Sequence, residues 1–249
     1  MAQPRHLRNA PITEAIIDFR VKAAPEFDVK KFAELKPRFA DQLPKMEEQR
    51  GFQAKFQIAK GQPQTPTLSS FGIHGYRFKS ADDKTIAQFR VDGFTVNRLR
   101  PYTSWEELFP QAMELWRLYC NLGQPKAVTR LALRYINRIE LPGGNVDFDT
   151  YLRAGPIVPP EVPQSLSGFL TRVTIRDSGK NLFAHVSQAL VEASAQNQQP
   201  TIILDIDAFK GGQFATDDPV IVRNFDELRE FKNLIFFNYL TDEMLRKFE

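Results

Sequence analysis

Cysteine occurs once in 249 residues, as Cys120. A single thiol excludes an internal disulfide framework and a cysteine-based zinc site. Histidine is nearly as scarce: His6, His74 and His185 lie far apart and never at metal-ligand spacing. No apolar run comes near the roughly 18 residues that a membrane-spanning helix needs. Met1 to Ala10 is polar and basic and lacks the apolar stretch of a signal peptide. No Walker loop, Rossmann glycine pattern or Gly-x-Ser-x-Gly elbow occurs. No residue is therefore assigned as catalytic, cofactor-binding or metal-binding, and no cofactor is expected. Asp205 and Asp207 stand two apart and share one strand face, but that spacing is common in sheets. The absences favour a cytoplasmic, non-enzymatic protein with no membrane partner.

Phenylalanine is abundant, with 21 residues, and 42% of the chain is hydrophobic against 25% charged. Such a chain can bury a core and is not disordered. The net charge of +3 is small but uneven. Residues 1–125 hold 19 basic against 14 acidic side chains, and residues 126–249 hold 14 against 16. An anionic partner on the first half is compatible with this asymmetry, as is ordinary solvated surface.

Hydrophobic periodicity places the elements. Glu14 to Lys22 alternates, with Ala15, Ile17, Phe19 and Val21 on one face, and reads as a half-buried strand. Asp28 caps a helix to about Leu43 that carries Phe32, Leu35, Phe39 and Leu43 on one stripe, with a break at Pro37. Phe52 to Ala59, Ile73 to Lys79 and Thr85 to Val91 read as strands, with a loop from Gly61 to Thr67. Ser104 and Glu107 form a capping box ahead of a helix whose aromatic stripe includes Trp105, Trp116 and Tyr119; core filling is preferred to a cofactor box. Val128 to Leu141 is a long strand. Asp149 caps a short helix near Tyr151, and Gly155 to Pro163 is a proline-rich connector. Three strands follow, Leu170 to Arg176, Leu182 to Leu190 and Thr201 to Phe209, and then a helix after Asn224 with a short turn after Thr241.

The order strand, helix, three strands, helix occurs twice, in 1–125 and in 126–249. Two echoes accompany it: Glu26-Phe27-Asp28 with Asp147-Phe148-Asp149, and Val91-Asp92-Gly93-Phe94 with Ile206-Asp207-Ala208-Phe209. Asp92-Gly93 is compatible with a hairpin turn or with a strand carrying a glycine bulge. The expected fold is α+β: two duplicated units in one pseudo-two-fold globular body. Its largely antiparallel sheet carries helices on one face, resembling TATA-binding-protein-like or helix-grip architectures.

With the apolar sides turned to the helices, the open sheet face displays Asp18, Arg20, Gln88, Arg90, Arg130, Arg134, Arg138 and Glu140. Arg172, Arg176, Asp205 and Asp207 join them from the second half. Arginine presents a planar fork suited to phosphate or carboxylate. Arg20, Gln88, Arg90, Arg130, Arg134 and Arg138 are thus the candidate residues for binding a polyanion such as nucleic acid, or an acidic protein. Cross-strand pairing of arginine with aspartate is the competing expectation. A second functional class is a small-ligand binder or enzyme with a pocket between curved sheet and helix, using Asp18, Arg20, Asp205 and Asp207. The run Leu234 to Leu240 is apolar nearly all round, which places it in an internal core or, alternatively, in a homodimer or docking interface.

Several motifs are distinctive in combination: Asn9-Ala10-Pro11-Ile12 followed by Glu14-Ala15-Ile16 and Asp18-Phe19-Arg20; Gln88-Phe89-Arg90; Asp92-Gly93-Phe94; Asn97-Arg98-Leu99; Pro101-Tyr102; and Arg134-Tyr135-Ile136-Asn137-Arg138-Ile139. Together they resemble a sporadically distributed prokaryotic family of uncharacterised proteins of similar length. The resemblance covers nearly the whole chain and implies no activity, cofactor or site residue. The family's patchy distribution implies a mobile or defence-associated setting.

Overall fold

The computed structural model describes residues 7–55, 58–59, 62–63, 67–143, 146–191 and 199–249. Strand alternation builds most of it. The chain runs β1 (Ile12–Lys22), a 3-10 helix (Val29–Leu35), β2 (Lys45–Lys55), β3 (Ile58–Ala59), β4 (Gln62–Pro63), β5 (Thr67–Lys79), β6 (Thr85–Arg90), β7 (Gly93–Leu99) and α1 (Trp105–Gly123). It continues with β8 (Ala127–Glu140), α2 (Phe148–Tyr151), β9 (Leu170–Asp177), β10 (Leu182–Val191), β11 (Thr201–Phe214), α3 (Asp218–Tyr239) and α4 (Asp242–Arg246). Nine strands form one antiparallel sheet in the order β2-β5-β6-β7-β1-β8-β11-β10-β9, while β3 and β4 pair apart from it. The fold is α+β, as expected.

β1 and β8 lie side by side at the centre, with Phe19 opposite Leu131 in their ladder. Strands before α1 extend the sheet on one side, and strands after it extend the other. One side of the sheet is buried by helices. Ala15, Ile17 and Phe19 of β1, Leu131 and Leu133 of β8 and Leu204 and Ile206 of β11 are completely buried there. Phe19 stacks on Trp116 of α1 at 4.2 Å between ring centroids and meets Phe225 of α3 edge-on at 5.1 Å.

Several expectations shift for local reasons. Asp28 caps as expected, accepting from the Lys30 amide at 3.0 Å, but a 3-10 helix and turns replace a regular helix ahead of Pro37. Phe32, Leu35, Phe39 and Leu43 are still all buried. The strand expected over Phe52–Ala59 starts at Lys45 instead, because pairing with β5 overrides a weak hydrophobic signal. The loop expected over 61–67 lies largely outside the described residues. Asp147 rather than Asp149 caps α2, and α3 begins at Asp218, with Pro219 in its first turn. The Ser104 cap holds, with its hydroxyl accepting from the Glu107 amide at 3.2 Å.

β7 adds a fourth sheet strand between the first helix and α1, where three were expected. A tight hairpin on Val91-Asp92 leads into it, pairing Arg90 with Gly93. Neither turn residue has positive φ, so the turn is not the type I′ form that Asp-Gly favours. Gly93 is needed for another reason: a Cβ there would run into the Phe19 carbonyl oxygen on β1. The paired echoes therefore sit differently, Asp92 in a turn and Asp207 inside β11.

The C-terminal apolar run needs no second copy to cover it. Phe236 and Phe237 are 7% and 9% exposed against the chain's own core, Leu234 is 49% exposed, and Asn238 also faces out. The internal-core reading of that run therefore accounts for both phenylalanines. Phe237→Glu should therefore unfold the chain while the wild type sediments as a monomer. Truncating Phe19 to Ala should cost about 3–5 kcal/mol in urea unfolding, and Leu234→Ser should change stability by less than about 0.5 kcal/mol.

Candidate functional site

The period of two that buries Ile17 and Phe19 turns Asp18 and Arg20 to the opposite, uncovered face. Asp18 is the hub of that face. Its carboxylate accepts from Thr95 Oγ1 at 2.6 Å, Arg90 Nη2 at 3.2 Å, Arg20 Nε at 3.3 Å and Arg130 Nη1 at 3.4 Å. Its side chain is 13% exposed. Arg130 also donates to Asp207 at 2.9 Å, and Arg134 grips Asp205 with two bonds of 2.8 and 2.6 Å. That fork raises the Arg134 guanidinium further above its ordinary value.

Asp92, at the β6–β7 turn, gathers Arg20 at 2.9 Å, His74 at 3.1 Å and Arg90 at 3.4 Å. Burial pushes the Asp92 carboxyl upward, but Arg20, Arg90 and His74 together outweigh it and hold the group below the usual carboxylate range. Gln88 links Gln49 at 2.8 Å to Asn97 at 3.0 Å, and Asn97 donates to Glu14 at 2.6 Å.

Of the six candidate partner-binding residues, Arg20, Arg90, Arg130 and Arg134 are thus committed to aspartates and Gln88 to amides. Arg138 reaches the Thr201 hydroxyl, at 3.3 Å, and no carboxylate among the described residues. The cross-strand pairing expected as the competing reading is present. Among the described residues, Arg172 and Arg176 on β9 also have no carboxylate partner.

The second half of this face holds a feature the sequence reading passed over. Phe183 on β10 and Phe209 on β11 are directly opposite each other, half-buried, with ring centroids 5.5 Å apart and planes 16° apart. Arg176 lies over the Phe183 ring at 5.3 Å and Arg130 over the Phe209 ring at 4.6 Å. His185 is 4.9 Å from the Phe209 ring. The result is a row of arginine, two stacked rings and arginine across four strands. The signal was legible: both phenylalanines fall on the polar side of strands whose other side is apolar.

Asp18, Arg20, Asp205 and Asp207, named for a sheet–helix pocket, all lie on the open face as well. A cavity does exist between sheet and helix, but on the other side. It measures about 160 Å³ and is lined by Tyr102, Trp105, Tyr135, Asn137, Arg229, Lys232 and Phe236, among others. Lys232 is only 9% exposed. Burial, with the nearby Arg229 charge adding to it, pushes the Lys232 ammonium down to about 7. Its place in the sequence gave a signal: Phe225, Leu228, Ile235 and Phe236 share the stripe into which Lys232 falls, so a lone lysine occupies a core position.

Burial pushes the Cys120 thiol up to about 12, which keeps it protonated at neutral pH. Among the described residues no three of His, Cys, Asp and Glu come together as metal ligands. No helix of the described residues is long and apolar enough to cross a membrane. Comparison of the sequence with models of known protein families and with curated proteins found no match.

Asp18→Asn should cost about 2–4 kcal/mol, because it leaves Arg90 and its neighbours facing one another without a counter-charge; urea unfolding at pH 7 measures this. Lys232 gives a pH signature. Its folded value lies below the unfolded one, so between pH 7 and 10.5 only the unfolded chain carries the proton, and stability rises with pH across that window. Lys232→Met should therefore stabilise the chain by on the order of 3–5 kcal/mol below pH 7. The gain should fade towards pH 10.5, and equal gains at pH 6 and pH 10 would contradict the assignment.

Proposed function

We propose that the protein binds single-stranded nucleic acid on the uncovered face of its sheet. The observation that carries this reading is the Arg176–Phe183–Phe209–Arg130 row. Rings on an uncovered sheet face can stack bases of any sequence, and arginine beside them serves both phosphate and ring. Arg138, Arg172 and Arg176, which no carboxylate neutralises among the described residues, supply the phosphate contacts. An acidic protein partner would need the arginines without the rings, so the rings favour nucleic acid. The paired arginines act differently: held by Asp18, Asp205 and Asp207, they keep the platform rigid.

The same reading includes an internal duplication, with 1–125 and 126–249 as halves of one pseudo-two-fold body of TATA-binding-protein-like or helix-grip type. In its support, β1 and β8 are both central, the last strand of each half flanks its own first strand, and each half ends in a long helix. A cytoplasmic location and the mobile or defence-associated setting implied by the family resemblance are consistent with a nucleic-acid binder.

Anisotropy of labelled oligo(dT) and oligo(U) tests the proposal on the full chain. Phe183→Ala with Phe209→Ala should weaken binding at least thirtyfold, since stacking contributes about 1–3 kcal/mol per base. Arg138, Arg172 and Arg176 replaced together by Ala should lower the salt slope by about 2. Absence of wild-type binding at low salt, or binding indifferent to both ring substitutions, would sink the idea.

A further inference from the structure

Lys232 poses a physical problem that the open face does not. Its ammonium sits 3.9 Å from the centre of the Tyr135 ring, and no hydrogen bond or ion pair reaches it among the described residues. The other charges around it give no compensation. Arg229, one turn earlier on α3, has the same sign, lies over Trp105 at 5.4 Å and already holds Glu106 at 2.9 Å. Arg8 at the cavity rim adds a further positive charge. The facing wall supplies two phenols, Tyr102 and Tyr135, whose hydroxyls bond each other at 2.9 Å. Burial pushes both phenols above their ordinary values, so both stay neutral.

A buried cation with no counter-ion is costly, so the empty site sheds its proton readily unless something from outside supplies the negative charge. The cavity is shaped to admit such a group. Two phenols that share one hydrogen bond still have a second proton to donate, so an acceptor oxygen can be held beside Lys232. Trp105, Tyr102 and Phe236 put aromatic faces on a wall that also carries the polar Thr103, Ser104, Asn137 and Asn233, and Glu106, held by Arg229. A space of about 160 Å³ is the size that holds a six-membered ring. The site therefore combines one buried positive charge, one phenolic donor and aromatic faces around a space of ring size.

We propose that the cavity between α3 and β8 is a binding site for a small organic carboxylate, whose anion pairs with the Lys232 ammonium while its aromatic body lies against Tyr102, Trp105 and Phe236. This site is independent of the nucleic-acid reading, since it lies on the opposite side of the sheet. Binding the anion favours the charged form of Lys232, so a proton is taken up whenever the empty site is neutral. Affinity is therefore greatest below pH 7 and falls as the pH rises through and beyond that value.

Titration calorimetry of the full chain with benzoate, in buffers free of carboxylate, tests this. Benzoate should bind at pH 6.5 with a Kd below 1 mM (roughly the range of a small ligand in such a cavity), and about tenfold more weakly for each pH unit above 8. Heats measured in buffers of different ionisation enthalpy should report proton uptake at pH 8. Benzamide, which has the same shape and no charge, should bind at least tenfold more weakly at pH 6.5. Lys232→Met and Lys232→Gln should both lose benzoate binding, whereas Arg134→Ala on the open face should retain it. Failure of benzoate to bind at millimolar concentration, equal binding of benzoate and benzamide, or benzoate affinity unchanged in either Lys232 variant would overturn the proposal.

Discussion

The fold depends on one side chain in the central strand. Phe19 is completely buried, stacked on Trp116 from α1, edge-on to Phe225 from α3 and beside Phe94 of β7. Each such aromatic pair contributes about 0.5–1.5 kcal/mol beyond area burial. Phe19 thereby joins both long helices and both halves of the sheet to β1. Since strand side chains alternate with a period of two, fixing Phe19 inward fixes Asp18 and Arg20 outward. A slip of one residue would exchange the core for the charged face.

The two sides of the sheet then handle charge in opposite ways. On the uncovered side, Asp18, Asp92, Asp205 and Asp207 are interleaved with Arg20, Arg90, Arg130 and Arg134. The network is close to neutral and holds its own geometry, and the arginines without a carboxylate lie towards β9 and the far end of β8. On the helix side, Lys232 stands in the aromatic wall with no ion pair of its own among the described residues, while Arg229 holds the carboxylate that lines the cavity, Glu106. A surface and a cavity with such different charge balance suit different ligands, one polymeric and one small.

Much of this architecture was legible in the sequence. Alternation in β1 and β8 was strong enough to assign every facing residue correctly, because both strands are central and half-buried. The Ser104 cap was equally clear, being a local interaction. What failed depended on tertiary partners. Lys45 to Arg50 is too polar to look like a strand, and only β5 makes it one. The 3-10 helix after Asp28 keeps the hydrophobic spacing of a regular helix while Pro37 denies it the length. For the site, facing could be read but pairing could not. Arg134 and Asp205 are 71 positions apart, and only the β8–β11 register brings them together. Phe183, Phe209 and Lys232 were visible as residues that violate the pattern of their own element, and such violations are where function tends to be found.

The central position of β1 also governs the order in which the chain can complete itself during synthesis. Its two neighbours are distant: Phe19 pairs with Phe94 on one side and with Leu131 on the other. Contacts this far apart in sequence make folding slow. A ribosome that has released β7 and α1 has produced a sheet whose newest edge is β1 itself, bare until β8 emerges. Bare edges invite pairing with other chains. Asp18, Arg20 and Lys22, charged along one side of that waiting strand, discourage a neighbouring nascent chain from taking the place of β8.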